Sequence, residues 1–292
     1  VEEARRRGLN IDAVGKRLPF FLTSGLDIEY IALLSAVRRI WAVAMRDVYG
    51  ADNANAQKLK AHVQTSGRSL HEREILNNIT RTALELFYAL MNYPQALHSN
   101  SYDEPITTPT EGAVKIASDA QSILFEELGG FKDMMGFLGD SSGRQAVYRR
   151  LIQGVLDYFR QIDELGGTLP AKADGFFRDE IARSSQIYNE QIHSGARRVI
   201  AVNRYTRGRA TVSQPQRVEI TEDQKCLRME NVKKFKAGRD GEKVREAIQK
   251  LKTVAANGGN VFEITMEIVK DVTIDEWTRA LQEVYGMYRR KI

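Results

Sequence analysis

Residues Leu59 to Gly67 read LKAHVQTSG. Leu59 to Thr65 form a short run of strand character. Ser66-Gly67 ends it, and helical spacing takes over near Leu76 and continues to Met91. The same order of elements stands on either side. Arg17 to Thr23 (RLPFFLT) is a short apolar run closed by Ser24-Gly25; Ile28, Ile31, Leu34, Val37, Ile40 and Trp41 then recur at helical spacing through Tyr49. Ala96 to Ser101 precedes a helix near Thr110 to Leu128. Three βα units starting at 17, 59 and 96 predict an α/β fold with a parallel sheet or a β/α barrel rather than an antiparallel architecture. The units share no sequence, so the repeat is architectural.

Outward from these units the pattern is more varied. Val1 to Arg7 reads like the last turns of a helix, and Phe131 to Leu138 (FKDMMGFL) is the candidate for a fourth strand. Helical periodicity runs from Arg144 to Leu165, stops at Gly166-Gly167 and resumes from Gly175 to His193; Arg198 to Asn203 (RVIAVN) then reads as a strand. Polar residues with Gly208 and Pro215 make 206–216 the candidate linker. Beyond it the sequence predicts a basic helix (Asn231 to Lys236, then Glu242 to Ala256), a strand at Val261 to Ile268 and a closing helix from Ile274 to Tyr288. The expected domains are therefore residues 1–205, the linker, and a C-terminal α/β extension over 217–292.

Composition is that of a folded globular chain. Of 292 residues, 42% are apolar and 28% charged, and 22 Gly with 6 Pro exclude collagenous or low-complexity architecture. A net charge of +5 admits phosphate-bearing ligands without pointing to nucleic acid. The single cysteine, Cys226, fits a reducing compartment such as the cytoplasm, and there is neither a membrane-length apolar run nor a signal peptide.

In parallel βα units, functional groups gather at the carboxyl ends of strands. His62 and Gln64 are two apart and share a face there, as do His98 and Asn100, with Asp103 and Glu104 following. Barrel interiors are normally aliphatic, so two neighbouring strands each presenting a His and an amide imply a polar cavity for a polar ligand. Alone, each histidine is more often a satisfied structural group than a ligand-binding one; the clustering shifts the balance. The four histidines and one cysteine show no metal-ligand spacing, and G-x-G-x-x-G, G-x-x-x-x-G-K-[ST] and G-x-S-x-G do not occur.

The stretches Lys58–Leu70 (KLKAHVQTSGRSL), Gln95–Glu111 (QALHSNSYDEPITTPTE) and Arg17–Phe21 (RLPFF) resemble the second half of the barrel in adenosylcobalamin-dependent acyl-CoA mutases. These are the methylmalonyl-CoA mutase family and its isobutyryl-CoA mutase branch. HVQTSGRSLH and ITTPTE are closer to the fused isobutyryl-CoA mutases, and weaker similarity extends through Ser194–Tyr205 and Gly259–Gly286. The resemblance implies a (β/α)8 barrel of which this chain holds the C-terminal half, followed by a mostly helical extension. It implies adenosylcobalamin as cofactor, homolysis of its cobalt–carbon bond, and radical rearrangement of a short acyl-CoA: isobutyryl-CoA to butyryl-CoA, or methylmalonyl-CoA to succinyl-CoA. Carried over by motif, Gln64, Asn100 and Glu104 would hold the adenosyl ribose, His62 and His98 would face the same cavity, and Arg17 would contact the CoA phosphates. Amides and a carboxylate suit vicinal hydroxyls, and a guanidinium suits phosphate.

Three departures accompany the resemblance. The family's Y-H pair, one strand upstream, is absent; the D-P-W-G-G-S motif reads Gly136-Phe137-Leu138-Gly139-Asp140-Ser141; and no D-x-H-x-x-G supplies a histidine for cobalt. Pro19 stands where the family often has serine. The expected partners are therefore the acyl-CoA, a cobalamin-binding domain or subunit and the first half of the barrel, with dimerisation and a G-protein chaperone in keeping with the family, and neither nucleic acid nor membrane. The alternative is a catalytically silent structural subunit of such a mutase.

Overall fold

The computed structural model describes residues 1–128, 141–206, 215, 217 and 219–288. The chain divides into two compact units, Val1–Val218 and Glu219–Ile292.

The first unit is built on three parallel strands, β1 (Pro19–Ser24), β2 (Lys60–Thr65) and β3 (Ala96–His98), in the order β1-β2-β3. Pro19 sits at the first residue of an outer strand, where its missing N–H costs no ladder bond. Strand alternation then sorts every side chain. Phe20 and Leu22 of β1, Ala61 and Val63 of β2, and Leu97 of β3 pack with Leu34, Leu59 and Ala89 into one core under the helices. The opposite face carries Phe21 and Thr23, His62 and Gln64, and Ala96 and His98, set beside one another by the register Phe21↔His62, His62↔Ala96, Thr23↔Gln64 and Gln64↔His98.

The crossovers are α3 (Leu33–Val43, continued as a π-turn through Val48) between β1 and β2, and α5 (Asn77–Leu90) between β2 and β3. They are preceded by α1 (Glu2–Arg6) and α2 (Ile11–Gly15), with the short α4 (Ala54–Gln57) before β2. After β3 come α6 (Glu111–Ser122), α7 (Ser142–Glu164), α8 (Thr168–Ala173) and α9 (Phe176–His193). Among the described residues the sheet is mixed into an α/β unit and is open on one face. The expected fourth strand, Phe131 to Leu138, lies outside the described residues.

Arg198 to Asn203 is not the expected strand. It is a tight turn with one bridge, Ile200 to Arg204, and Ala201 has φ +65°. Asn203 decides this: its Oδ1 accepts from Val199 N (2.7 Å) while its Nδ2 donates to Ile192 O (2.7 Å) and Arg197 O (2.8 Å), curling a β-branched sequence back on itself.

The second unit holds α10 (Glu222–Gly238), α11 (Gly241–Ala256), α12 (Val261–Ile268) and α13 (Ile274–Tyr285). Val261–Ile268 is thus a helix where a strand was expected, and the described part of this unit is helical rather than α/β. Asn260 Oδ1 caps it, accepting from Phe262 N and Glu263 N, and Ile264 and Ile268, four apart, enter a core with Leu251, Val272 and Ala280. No helix among the described residues is long and apolar enough to cross a membrane.

Candidate functional site

Gln64 is the last inward residue of β2, and Asn100 lies two residues past the end of β3 on the same face. Gln64 Nε2 donates to Asn100 Oδ1 at 2.8 Å, and Asn100 N donates to Thr65 Oγ1 at 2.9 Å. Asn100 is 2% exposed, and its Nδ2 is a buried donor without a hydrogen-bond partner among the described residues. An orphaned amide donor in that position is costly unless a ligand acceptor completes it.

Glu104 is brought to the same loop, but its Oε1 folds back to accept from Ser101 N at 2.9 Å. Asp103, fully buried, braces the loop: its Oδ2 accepts from Thr110 N (3.0 Å) and Thr110 Oγ1 (2.7 Å), while its buried Oδ1 has no hydrogen-bond partner among the described residues. His62 and His98 lie side by side with ring centroids 6.5 Å apart, and His62 stacks on Phe21 at 5.1 Å. Phe21 is 61% exposed, a large apolar ring on an open face that otherwise carries polar groups.

Arg17 is not with these residues. It precedes β1 at the amino end of the sheet, exposed, with Nη1 donating to Ala13 O at 3.1 Å. The six-residue strand Pro19–Ser24, about 20 Å long, separates it from the carboxyl end.

Beside the carboxyl ends of β1 and β2, a cavity of about 420 Å³ is lined by Asp27, Arg68, Arg81, Glu85, Tyr188 and Arg197, among others. Two guanidinium groups approach the Tyr188 ring, Arg68 at 3.5 Å and Arg197 at 4.8 Å from its centroid, and Arg197 pairs with Asp27 at 2.7 Å. Glu85 on α5 has no exposed surface, and burial pushes its carboxyl up to about 7 against the hydrogen bond from Ser66 N and the nearby Arg81 charge. Burial likewise lowers Arg81, whose Nη1 donates to Asn78 Oδ1 (2.7 Å) and Nη2 to Ile200 O (2.9 Å). Sequence reasoning missed this group. Its signal was a polar stripe, Asn78, Arg81, Thr82 and Glu85, on the face of α5 that also carries Ala89 into the core.

The described strands form a parallel βα unit with a hydrogen-bonded amide pair at the carboxyl ends of two neighbouring strands. The chain belongs to the methylmalonyl-CoA mutase family: the methylmalonyl-CoA mutase family model matches residues 1–287. It is 38% identical to the fused isobutyryl-CoA mutase of Geobacillus kaustophilus across 100% of this chain and 27% of that relative. It is 30% identical to the 2-hydroxyisobutanoyl-CoA mutase large subunit of Aquincola tertiaricarbonis, over 99% of this chain and 52% of the relative. With mouse mitochondrial methylmalonyl-CoA mutase it shares 31% identity over 97% of this chain and 38% of the relative. The chain thus spans about a quarter of the length of the fused mutases it matches.

Proposed function

We propose that this chain supplies part of the barrel of an adenosylcobalamin-dependent acyl-CoA mutase, an isomerase that rearranges the carbon skeleton of a short acyl-CoA. The observation that carries the reading is the Gln64–Asn100 pair with its buried, unpartnered Asn100 Nδ2 at the carboxyl ends of neighbouring parallel strands. The residues fit a ribose: Asn100 Nδ2 offers a donor to one hydroxyl, and Gln64 and Glu104 add amide and carboxylate acceptors for its neighbour. When bound, adenosylcobalamin supplies the radical that abstracts hydrogen from the substrate.

This chain's own part is to bind and orient. Gln64, Asn100 and Glu104 hold the ribose in one position without themselves being readily oxidised, so that the reacting carbon meets substrate in a fixed geometry. Phe21 and the two histidines wall the open face and exclude water once further strands close over it. Arg17, a strand length away, takes the CoA phosphates, and the long pantetheine arm of an acyl-CoA suits that separation. In the proposed assembly the free edges of β1 and β3 pair with strands from the rest of the barrel, completing the (β/α)8 closure. The acyl group is isobutyryl, methylmalonyl or a close analogue; the relatives' names span all of these at 30–38% identity.

Kinetics of the complete enzyme test the reading. Glu104→Gln keeps an acceptor for Ser101 N, so the loop is preserved, yet turnover should fall about tenfold or more, because a charge-assisted bond to a ribose hydroxyl is lost. Arg17→Ala should raise the acyl-CoA KM with kcat little changed, because the phosphate contact is alike in ground and transition states. Parent-like kinetics in both variants would place the working site on another chain and make this one a structural subunit.

A further inference from the structure

Glu85 is fully buried, lies on a crossover helix rather than a strand end, and has no part in the reading above, yet it is tied to the carboxyl ends of two strands. Its backbone carbonyl accepts from Ser24 Oγ, the last residue of β1, at 2.8 Å. Its Oε2 accepts from Ser66 N, the first residue after β2, also at 2.8 Å. Ser66 N is shared with Ser24 O at 2.8 Å, so one N–H, one carboxylate and one carbonyl lock the two strand ends together.

From Ser66 the connection runs straight into the ribose pair. Ser66 closes its own turn by accepting from Ser69 Oγ at its carbonyl (2.8 Å) and from Arg68 N at its hydroxyl (3.3 Å). The preceding residue, Thr65, accepts from Asn100 N, and the one before that, Gln64, donates to Asn100 Oδ1. Glu85 is thus one hydrogen bond from Ser66, which is two residues along the backbone from Gln64. A bond of 2.8 Å lengthened by about 0.7 Å is no longer a hydrogen bond. Letting Ser66 drift by that much would disengage Gln64 from Asn100, although Glu85 and Ser66 are not themselves members of the ribose pair.

We propose that Glu85 is a positioning residue for the Gln64–Asn100 pair, fixing the end of β2 through Ser66 so that both amides meet the adenosyl ribose. The inference rests on the ribose reading of that pair. A buried carboxylate is an expensive way to hold one N–H in a structure that needs only compactness. Its position beneath the site is the kind of local conflict that function imposes. The titratable groups facing it are Arg81 from its own helix, and Asp27 and the neutral Tyr30 from the segment that follows β1.

The test uses the complete enzyme and two probes, adenosylcobalamin and hydroxocobalamin, which lacks the adenosyl group, titrated by absorbance. Gln64→Ala and Glu85→Ala should each weaken adenosylcobalamin about tenfold and leave hydroxocobalamin within about twofold. Glu85→Gln, which keeps an acceptor for Ser66 N, should recover most of the loss. Glu85→Asp, which keeps the charge and the fold but withdraws the carboxylate by one methylene, should show the selective loss even if the alanine variant fails to fold. Parent-like affinities for both probes in the Glu85→Ala and Glu85→Asp variants, or equal weakening of both probes, would overturn the positioning role while Gln64→Ala still reports the ribose contact. If Gln64→Ala shows no selective loss, the ribose reading itself falls and the positioning role with it.

Discussion

Asn78 has no exposed surface, and its side chain spends every polar atom on neighbouring loops. Oδ1 accepts from His71 N (3.1 Å) and Arg81 Nη1 (2.7 Å), and Nδ2 donates to His71 O and Tyr102 O, both at 2.9 Å. One residue thereby joins the loop after β2 to the loop after β3. Asn78→Ala would leave several buried groups unpaired, including a guanidinium N–H, and should cost about 3–4 kcal/mol in a urea denaturation series. Glu85, nearby, works in the opposite sense. Its carboxyl titrates near 4.5 when unfolded and near 7 when folded, so between these values the native state holds more protons and stability falls as pH rises. The gap corresponds to about 3 kcal/mol, all of it lost above about pH 7. Glu85→Gln should therefore gain on the parent by roughly that amount between about pH 5 and about pH 8 in paired urea melts. Equal pH slopes in the two proteins would refute it. Little of this was legible in sequence: Gln64 and Asn100 announce themselves by strand alternation, whereas a lone Glu on a helix ordinarily faces water, and only the tertiary fold turns residue 85 inward.

At the scale of elements, the three strands and their crossovers were readable because apolar runs ended in Ser-Gly or turn residues and the helices that follow have strong amphipathic periods. The two misread segments share a cause. RVIAVN and VFEITMEI are rich in β-branched residues, which favour strands only when a pleated surface is there to receive them. In the first, Asn203 captures three backbone groups and makes a turn. In the second, Asn260 caps the chain, and Ile264 and Ile268 satisfy a helical period as readily as Phe262, Ile264 and Met266 would satisfy a strand's alternation. Asn260→Ala should accordingly destabilise the C-terminal unit by about 1 kcal/mol, read as a lower urea midpoint. The start of the next helix, α13, carries a stronger anchor. Glu276 accepts from Arg239 and from Thr273 N and Oγ1, and the guanidinium holds its carboxyl well below the usual carboxylate range. Its folded pKa is depressed, so its contribution is complete above the ordinary carboxylate range and is lost as pH falls through the folded value. Glu276→Gln should lower stability at neutral pH and leave a shallower acid limb in a pH-dependent melt.

The first unit presents one sheet face to its helices and leaves the other, with Phe21, His62, Gln64 and His98, uncovered by its own described residues. That arrangement sets a limit on what residues 1–292 can do alone. On the proposed ribose reading they would offer Gln64, Asn100 and Glu104, and a net contribution of about 1 kcal/mol for each neutral hydrogen bond, somewhat more for the carboxylate, sums to about 3–5 kcal/mol before any cost of immobilising the ligand. Read as a binding free energy this is a dissociation constant near millimolar. Tight binding of adenosylcobalamin therefore needs the far larger corrin surface to be gripped by groups outside this chain, whether on the same polypeptide or another subunit. Equilibrium dialysis of residues 1–292 against adenosylcobalamin at about 100 μM should show no saturable binding, while the complete protein should bind it stoichiometrically. Submicromolar affinity in the isolated chain would mean that the corrin docks on the described residues themselves, and the division of labour proposed here, ribose on this chain and corrin elsewhere, would be wrong.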